Sequence, residues 1–171
     1  MISSKLMRLI EQHSSELTDE LVKKLHSCSR TRGLEQLRAP DLRNRIQEML
    51  NHFHGWLLTK GDHNKFQERY RELGRQHASQ HRPLPDLCWA VVVIKEHIWD
   101  FVGRHAFHTA PMDFQAELEL TRFVNVFFDG MICHLAEGYE QFQSELVESR
   151  LHRERSGDAN ARHPSNRNAM L

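Results

Sequence analysis

Histidine is the residue type with the clearest chemical potential in this chain, which contains 13 histidines among 171 residues. His77 and His81 are four positions apart, and this spacing can bind a metal ion when both imidazoles lie on one face of a helix. Pro83 follows so closely that His81 is not expected to remain helical. A solvated pair at a helix end is therefore the favoured interpretation, and we predict no metal site.

Motifs for catalysis are absent from the sequence. It contains no GxSxG nucleophile elbow, no glycine-rich phosphate loop, no HExxH motif and no zinc-spaced Cys/His set. The cysteines Cys28, Cys88 and Cys133 are far apart, so they predict reduced thiols rather than a disulfide framework. We therefore expect a protein that is not an enzyme and has no catalytic residues.

Composition limits the classes of partner. Lysines and arginines number 23, as do the acidic residues, so the formal net charge is zero. A general nucleic-acid or membrane-surface binder needs a surplus of positive charge. The longest apolar run, residues 87–94, is far shorter than the roughly 20 residues that cross a bilayer, and the N-terminus does not resemble a signal peptide. We expect a cytoplasmic protein that binds neither nucleic acid nor membrane.

Five segments carry apolar residues at the spacings of three and four that are typical of amphipathic helices. They cover residues 4–28, 40–60, 64–80, 87–107 and 113–153, and Asp86 and Asp113 are the expected N-caps of the last two. The polar stretch at 12–15 could bend the first segment. No alternating strand pattern and no internal repeat is present. The pattern predicts an all-α fold of five to seven helices, and by itself it leaves a globin-like orthogonal packing and a helix bundle open.

The fourth and fifth segments should supply the centre of the core, with buried Val91, Ile94, Ile98, Phe123, Phe127 and Met131. Farther along the fifth segment the apolar stripe narrows to a seam of the coiled-coil kind: Leu135, Tyr139, Phe142 and Leu146. A helix of about 40 residues is about 60 Å long. Its end should therefore project from the domain and offer this seam to a second copy or a partner. We expect a domain over residues 1–154 and a disordered tail over 155–171.

Two stretches of the sequence carry a family resemblance. Residues 70–80 read Tyr-Arg-Glu-Leu-Gly-Arg-Gln-His-Ala-Ser-Gln and lead through a proline-containing turn, 84–86, into the apolar residues 90–99. Residues 127–129 read Phe-Phe-Asp, and residues 138–140 read Gly-Tyr-Glu. Together these stretches resemble the RsbRD N-terminal domain family over residues 4–150. The chain departs from the family pattern at His77, where arginine is usual, and at His81, where glycine is usual and a left-handed backbone would strain histidine.

This resemblance implies a globin-like helical fold that usually lacks haem. Such domains form the sensory, dimeric part of stressosome co-antagonists and related signalling proteins. Their last helix normally continues into an output domain, such as a STAS domain or a kinase, whereas this chain ends soon after that helix. We therefore expect a stand-alone sensory domain that acts through a homodimer or a signalling partner.

His77 opens one alternative. The sequence Leu73-Gly74-x-x-His77 is also similar to the region around the proximal histidine of globin-coupled sensors, and a neutral imidazole can ligate haem iron. The separation between His77 and Trp89 is longer than that motif expects, so a structural histidine is the favoured reading. The alternative is a haem-binding gas or redox sensor with His77 as the axial ligand.

Overall fold

The computed structural model describes residues 8–34, 36–59, 63–106 and 114–161. Within these ranges the chain forms helices and no β-strand, which confirms the all-α class. A helical stretch at residues 8–12 comes first. The elements that follow are α1 (Ser14–Ser27), a 3-10 helix (Ser29–Leu34), α2 (Ala39–Thr59), α3 (His63–Ser79), α4 (Leu84–Ala106) and α5 (Phe114–Ala161).

Three boundaries show where the sequence pattern was informative and where it was not. The first segment is interrupted at His13, inside the polar stretch that could bend it. The expected cap at Asp86 is wrong, because α4 already begins at Leu84; proline at 85 costs the first turn no hydrogen bond. Helix α5 runs on to Ala161, into the segment that was expected to be disordered, while the cap expected at Asp113 and residues 162–171 lie outside the described residues.

The core lies around α4 and the first half of α5. Five of the six residues expected at its centre are buried, and the sixth, Phe123, is half-buried and packs against them. Phe53 of α2 meets Phe127 of α5 with ring centroids 4.8 Å apart, and Phe66 of α3 lies 5.0 Å from the same ring. Burial of these aromatic rings holds α2 and α3 onto α5.

Helix α3 packs chiefly on α5, and two glycines set how closely the helices approach. A Cβ atom added at Gly74 would overlap the carbonyl oxygen of Leu135, and one added at Gly138 would overlap that of Arg71. The two helices therefore touch through their backbones at this crossing, which a larger residue at either position would prevent.

The end of α5, beyond the contact between Arg75 and Glu145, projects from the other described helices. The helix has 48 residues, which corresponds to roughly 70 Å. From Glu140 to Arg155 only Phe142 and Leu146 are half-buried, and every other residue is exposed. This confirms the long C-terminal helix. Among the described helices, none combines the length and apolarity that a membrane-spanning segment needs.

Candidate functional sites

His77 is a buried residue at the C-terminal end of α3. Its Nε2 atom donates a hydrogen bond to the carbonyl oxygen of Pro83, 3.1 Å away. A carbonyl only accepts, so this bond fixes the proton on Nε2. Burial lowers the pKa of His77, which keeps the ring neutral. In this structure His77 ties the end of α3 to the segment that starts α4.

The turn between α3 and α4 has the hydrogen bonds of a Schellman motif. The His81 amide donates to Ala78 at 3.0 Å, and the Arg82 amide donates to His77 at 3.2 Å. His81 has a φ of 54°, which is the left-handed conformation. The family that the chain resembles usually has glycine at this position. The Tyr139 hydroxyl donates to the Arg82 carbonyl at 3.1 Å. Helix α5 therefore binds the same turn that His77 holds from the inside.

The four residues predicted to form an interface seam lie in different environments. Leu135 is fully buried within the subunit, and Tyr139 is half-buried with its hydroxyl bound to the α3–α4 turn. Phe142 is half-buried, with the Arg75 guanidinium 6.0 Å from its ring centroid, and Leu146 is half-buried. Leu135 and Tyr139 thus stabilise the subunit itself, while Phe142 and Leu146 keep part of their surface exposed. The interface role of the seam stays a prediction.

Two exposed apolar residues on another face of α5 were not singled out from the sequence. Val147 and Leu151 are 53% and 50% exposed. They are four positions apart and so lie on one face of α5, and at about 100° per residue this face is turned roughly 130° away from the seam. Their spacing was the available signal, but it falls outside the stripe that continues from the core. An exposed pair of large aliphatic side chains on a projecting helix is a feature of interaction surfaces.

Ion pairs accompany the α3–α5 contact. Arg75 donates from two guanidinium nitrogens to the two carboxylate oxygens of Glu145, both at 2.9 Å, and this holds the pKa of Glu145 below its usual value. Glu137 accepts from His134 at 3.0 Å and from Arg71 at 2.7 Å, and both bonds lower its pKa. The pairs Arg71–Glu137 and Arg75–Glu145 join α3 to α5 at two points, but their side chains are partly exposed, so each pair stabilises little.

A partly open cavity of about 300 Å³ lies between α2, α3 and α4, with α5 behind it. Tyr70 of α3 lines it, is only 4% exposed, and has no hydrogen-bond partner for its hydroxyl among the described residues. His77 is not one of the lining residues. Most of the wall is aliphatic, contributed by Leu25, Leu34, Leu37, Leu42, Ile46, Met49, Leu73, Leu87, Ala90, Val91, Ile94, Met131 and Leu135.

One group of described side chains could hold a metal ion, although the sequence predicted none. His13, Glu16 and His105 offer ligand atoms that all lie within 4.8 Å of one another. The Nδ1 atom of His105 donates to the Phe101 carbonyl at 2.9 Å, which leaves its Nε2 as the free nitrogen. The two histidines are far apart in sequence, so no local spacing could reveal the group.

A charged cluster joins α1 to α4. His97 is buried, and its Nε2 donates to Glu20 at 2.8 Å. Arg104 donates to the same carboxylate at 2.6 Å. The Arg104 hydrogen bond is the main cause that lowers the pKa of Glu20, whereas burial lowers the pKa of His97. The cluster pairs its charges internally, which is typical of a structural role.

Comparison with known proteins gives one match. The family model described as the RsbT co-antagonist protein rsbRD N-terminal domain matches residues 15–155. No curated protein and no solved structure matches this chain. The matched range contains the α3–α4 turn, both glycines of the helix crossing and the exposed pair on α5.

Proposed function

The chain belongs to the RsbRD N-terminal domain family, a family of signalling-related domains, and from this premise we propose that it is a non-enzymatic regulatory domain in bacterial signal transduction. It senses a signal within its helical core, forms a homodimer through the projecting part of α5, and passes the signal to a protein partner of a stressosome type. It acts in the cytoplasm, where its three unpaired cysteines stay reduced.

The apolar surface on projecting α5 is the observation that carries this proposal. Val147 and Leu151 are half-exposed or more, and Phe142 and Leu146 are only half-buried in the single subunit. Helix α3 reaches this stretch only in part, through Arg75 beside Phe142 and Glu145, and leaves the rest of these side chains exposed among the described residues. A second copy of the same helix would bury Phe142 and Leu146, which continue the a/d spacing of the seam, by packing of the coiled-coil kind. The dimers that the family resemblance implies support this choice of partner.

The proposal is tested by measuring the mass of the protein in solution. We expect a dimer in light scattering, and we expect the double variant Phe142→Glu, Leu146→Glu to shift it toward the monomer, because carboxylates buried in the seam would lack partners. The matched control is His152→Glu, an exposed position on the other side of the same helix. Circular dichroism should show unchanged helix content in both variants. A monomeric wild-type protein, or a double variant that remains fully dimeric, would refute dimerisation through this surface.

The haem-binding alternative receives no support from the geometry of His77. Its Nε2 atom is bound to Pro83, and the ring is packed at the α3–α4 turn rather than at the cavity. Iron ligation through this nitrogen would break the bond that holds the turn. We therefore propose a regulatory domain whose His77 is structural.

A further inference from the structure

The cavity described above lies on the side of α3 that faces α2. The glycine crossing holds α3 against α5 on another side. The cavity volume of about 300 Å³ is roughly twice that of an engineered apolar cavity that binds benzene. A molecule of about two fused rings would fill it. A second cavity of about 290 Å³ shares His52, Arg69 and Tyr70 with the first, so the space continues along the α2–α3 gap.

Tyr70 supplies the feature that a purely apolar void would lack. Its hydroxyl is buried, and the described part of the chain offers it no hydrogen-bond acceptor. The ring itself is well held, edge-on to His52 at 6.2 Å and to Phe66 at 4.8 Å between centroids. Buried hydroxyls are rarely left unpaired in folded proteins. Tyr70 lines both cavities, so a ligand in the α2–α3 gap that displaces the groups covering its hydroxyl would meet an unpaired donor, the kind of group by which binding pockets orient a ligand.

We propose that this cavity binds a small molecule with an apolar body of about two rings and one hydrogen-bond acceptor, such as a carbonyl oxygen. The acceptor takes a hydrogen bond from the Tyr70 hydroxyl. The aliphatic wall favours a ligand with an apolar body, and the hydroxyl favours a ligand with a hydrogen-bond acceptor. Burial raises the pKa of Tyr70, so the phenol stays protonated and acts as a donor. A carboxylate would lose its hydration in the aliphatic part of the cavity, so an uncharged acceptor is favoured.

The rim of the cavity provides a way in. Arg69 of α3 forms an ion pair with Glu48 of α2, and both residues line the cavity and are exposed. This pair bridges the two helices beside the apolar wall. Exposed ion pairs contribute little to stability, so it can open without a large cost in free energy.

The ligand would also contact the helix that projects from the domain. Met131 and Leu135 of α5 line the cavity, and Leu135 is the residue whose carbonyl meets Gly74. This inference deepens the proposed function, on which it rests, by naming the class of signal that the core senses. Its test is independent of the oligomeric state, so the two can fail separately.

The test uses two probes of nearly equal shape with the full chain. These are 2-acetylnaphthalene, which carries a carbonyl acceptor, and 2-ethylnaphthalene, which does not. We expect calorimetry and ligand-observed NMR to show binding of both, with the ketone bound more tightly. Tyr70→Phe keeps the ring and removes only the hydroxyl, so it should weaken the ketone by about tenfold and leave the hydrocarbon unchanged.

A second variant keeps the result interpretable. Ala90→Phe places a ring in the cavity from α4 and should abolish binding of both probes, and its circular dichroism shows whether it is folded. Absence of binding of both probes to the wild-type protein would overturn the proposal. Equal affinity of the ketone for wild-type protein and Tyr70→Phe would overturn the role of the hydroxyl. If mass measurements still show a dimer in either case, the proposed function survives without this ligand class.

Discussion

Gly74 on α3 and Gly138 on α5 allow the two helices to meet backbone to backbone. Each glycine lies against a carbonyl oxygen of the opposite helix, that of Leu135 for Gly74 and that of Arg71 for Gly138. Packed helices normally lie roughly 8–10 Å apart, at a distance set by the side chains between them. With no side chain at the crossing, α3 is held directly on α5, and the α3–α4 turn comes within reach of Tyr139. Both glycines belong to the stretches that carry the family resemblance.

The variant Gly138→Ala should destabilise the protein. Alanine improves intrinsic helix stability by about 1 kcal/mol, but its Cβ would overlap the Arg71 carbonyl oxygen and α-carbon, which are backbone atoms that cannot rotate away. Overpacking of this kind typically costs about 1–3 kcal/mol. We therefore expect a net fall in the free energy of unfolding, measured by urea denaturation.

Gly55→Ala is the matched control for this experiment. Gly55 also lies within a helix, and a Cβ added there would have nothing within 4 Å. Alanine should therefore raise the free energy of unfolding by about 0.5–1 kcal/mol. If Gly138→Ala is stabilised as much as Gly55→Ala, the two helices do not touch at this crossing.

His81→Gly should stabilise the protein. His81 has a φ of 54°, and a left-handed backbone costs an L-residue about 1–2 kcal/mol that glycine does not pay. Part of this gain is lost because glycine also has more freedom in the unfolded chain. A net gain of about 0.5–1 kcal/mol is expected by thermal or urea unfolding. The control is the neighbouring variant Gln80→Gly, which should destabilise the protein because the φ of Gln80 is not positive. A loss of stability in His81→Gly would contradict the left-handed conformation of His81.

The sequence predicted the helices well because their apolar stripes are long. The stripes of α2 and α4 each extend over several turns, and a pattern of that length leaves little choice of structure. The strain at His81 also followed from the sequence, because the family resemblance places glycine there. The start of α4 was missed by three residues because Pro85 fits either a turn or the first turn of a helix.

The site was harder to predict because the apolar stripe of a helix does not indicate whether its own subunit or another molecule covers it. Leu135 and Tyr139 continue the same pattern as Phe142 and Leu146, yet α3 covers the first two within the subunit. The cavity depends on the gap between α2 and α3, and the spacing of apolar residues within either helix does not predict that gap. Tyr70 therefore looked like an ordinary member of an apolar stripe.

His77→Ala should destabilise the protein whether or not haem is added. The change leaves the Pro83 carbonyl without its donor and creates a small void at the α3–α4 turn, which together should lower the free energy of unfolding by about 1–3 kcal/mol. Tyr139→Phe removes the hydrogen bond that α5 makes to the same turn. It should lower the free energy of unfolding by less than His77→Ala does. Haemin titration should give no Soret band that depends on His77. A band that disappears in His77→Ala would establish the haem-binding alternative.

Three histidines make the stability of this domain sensitive to mild acid. Burial lowers the pKa of His52, His77 and His97. As pH falls through the ordinary histidine pKa of about 6.5, the unfolded chain takes up protons that these folded histidines resist. The unfolded state therefore binds more protons than the folded state, and the free energy of unfolding decreases as the pH decreases. The carboxylate of Glu20, whose pKa is lowered chiefly by its bond from Arg104, adds a similar loss only at lower pH.

The free energy of unfolding should accordingly be lower at pH 5.5 than at pH 7.5, as measured by urea denaturation at constant ionic strength. His97→Gln should reduce this difference, because glutamine can still donate to Glu20 but cannot take up a proton. His152→Gln, at an exposed position, should leave the difference as it is in the wild-type protein. The carboxylates remain ionised over most of this window, so the change reports on histidine. Stability that is unchanged or greater at pH 5.5 would show that the buried histidines accept protons without cost, which contradicts their burial in the folded core.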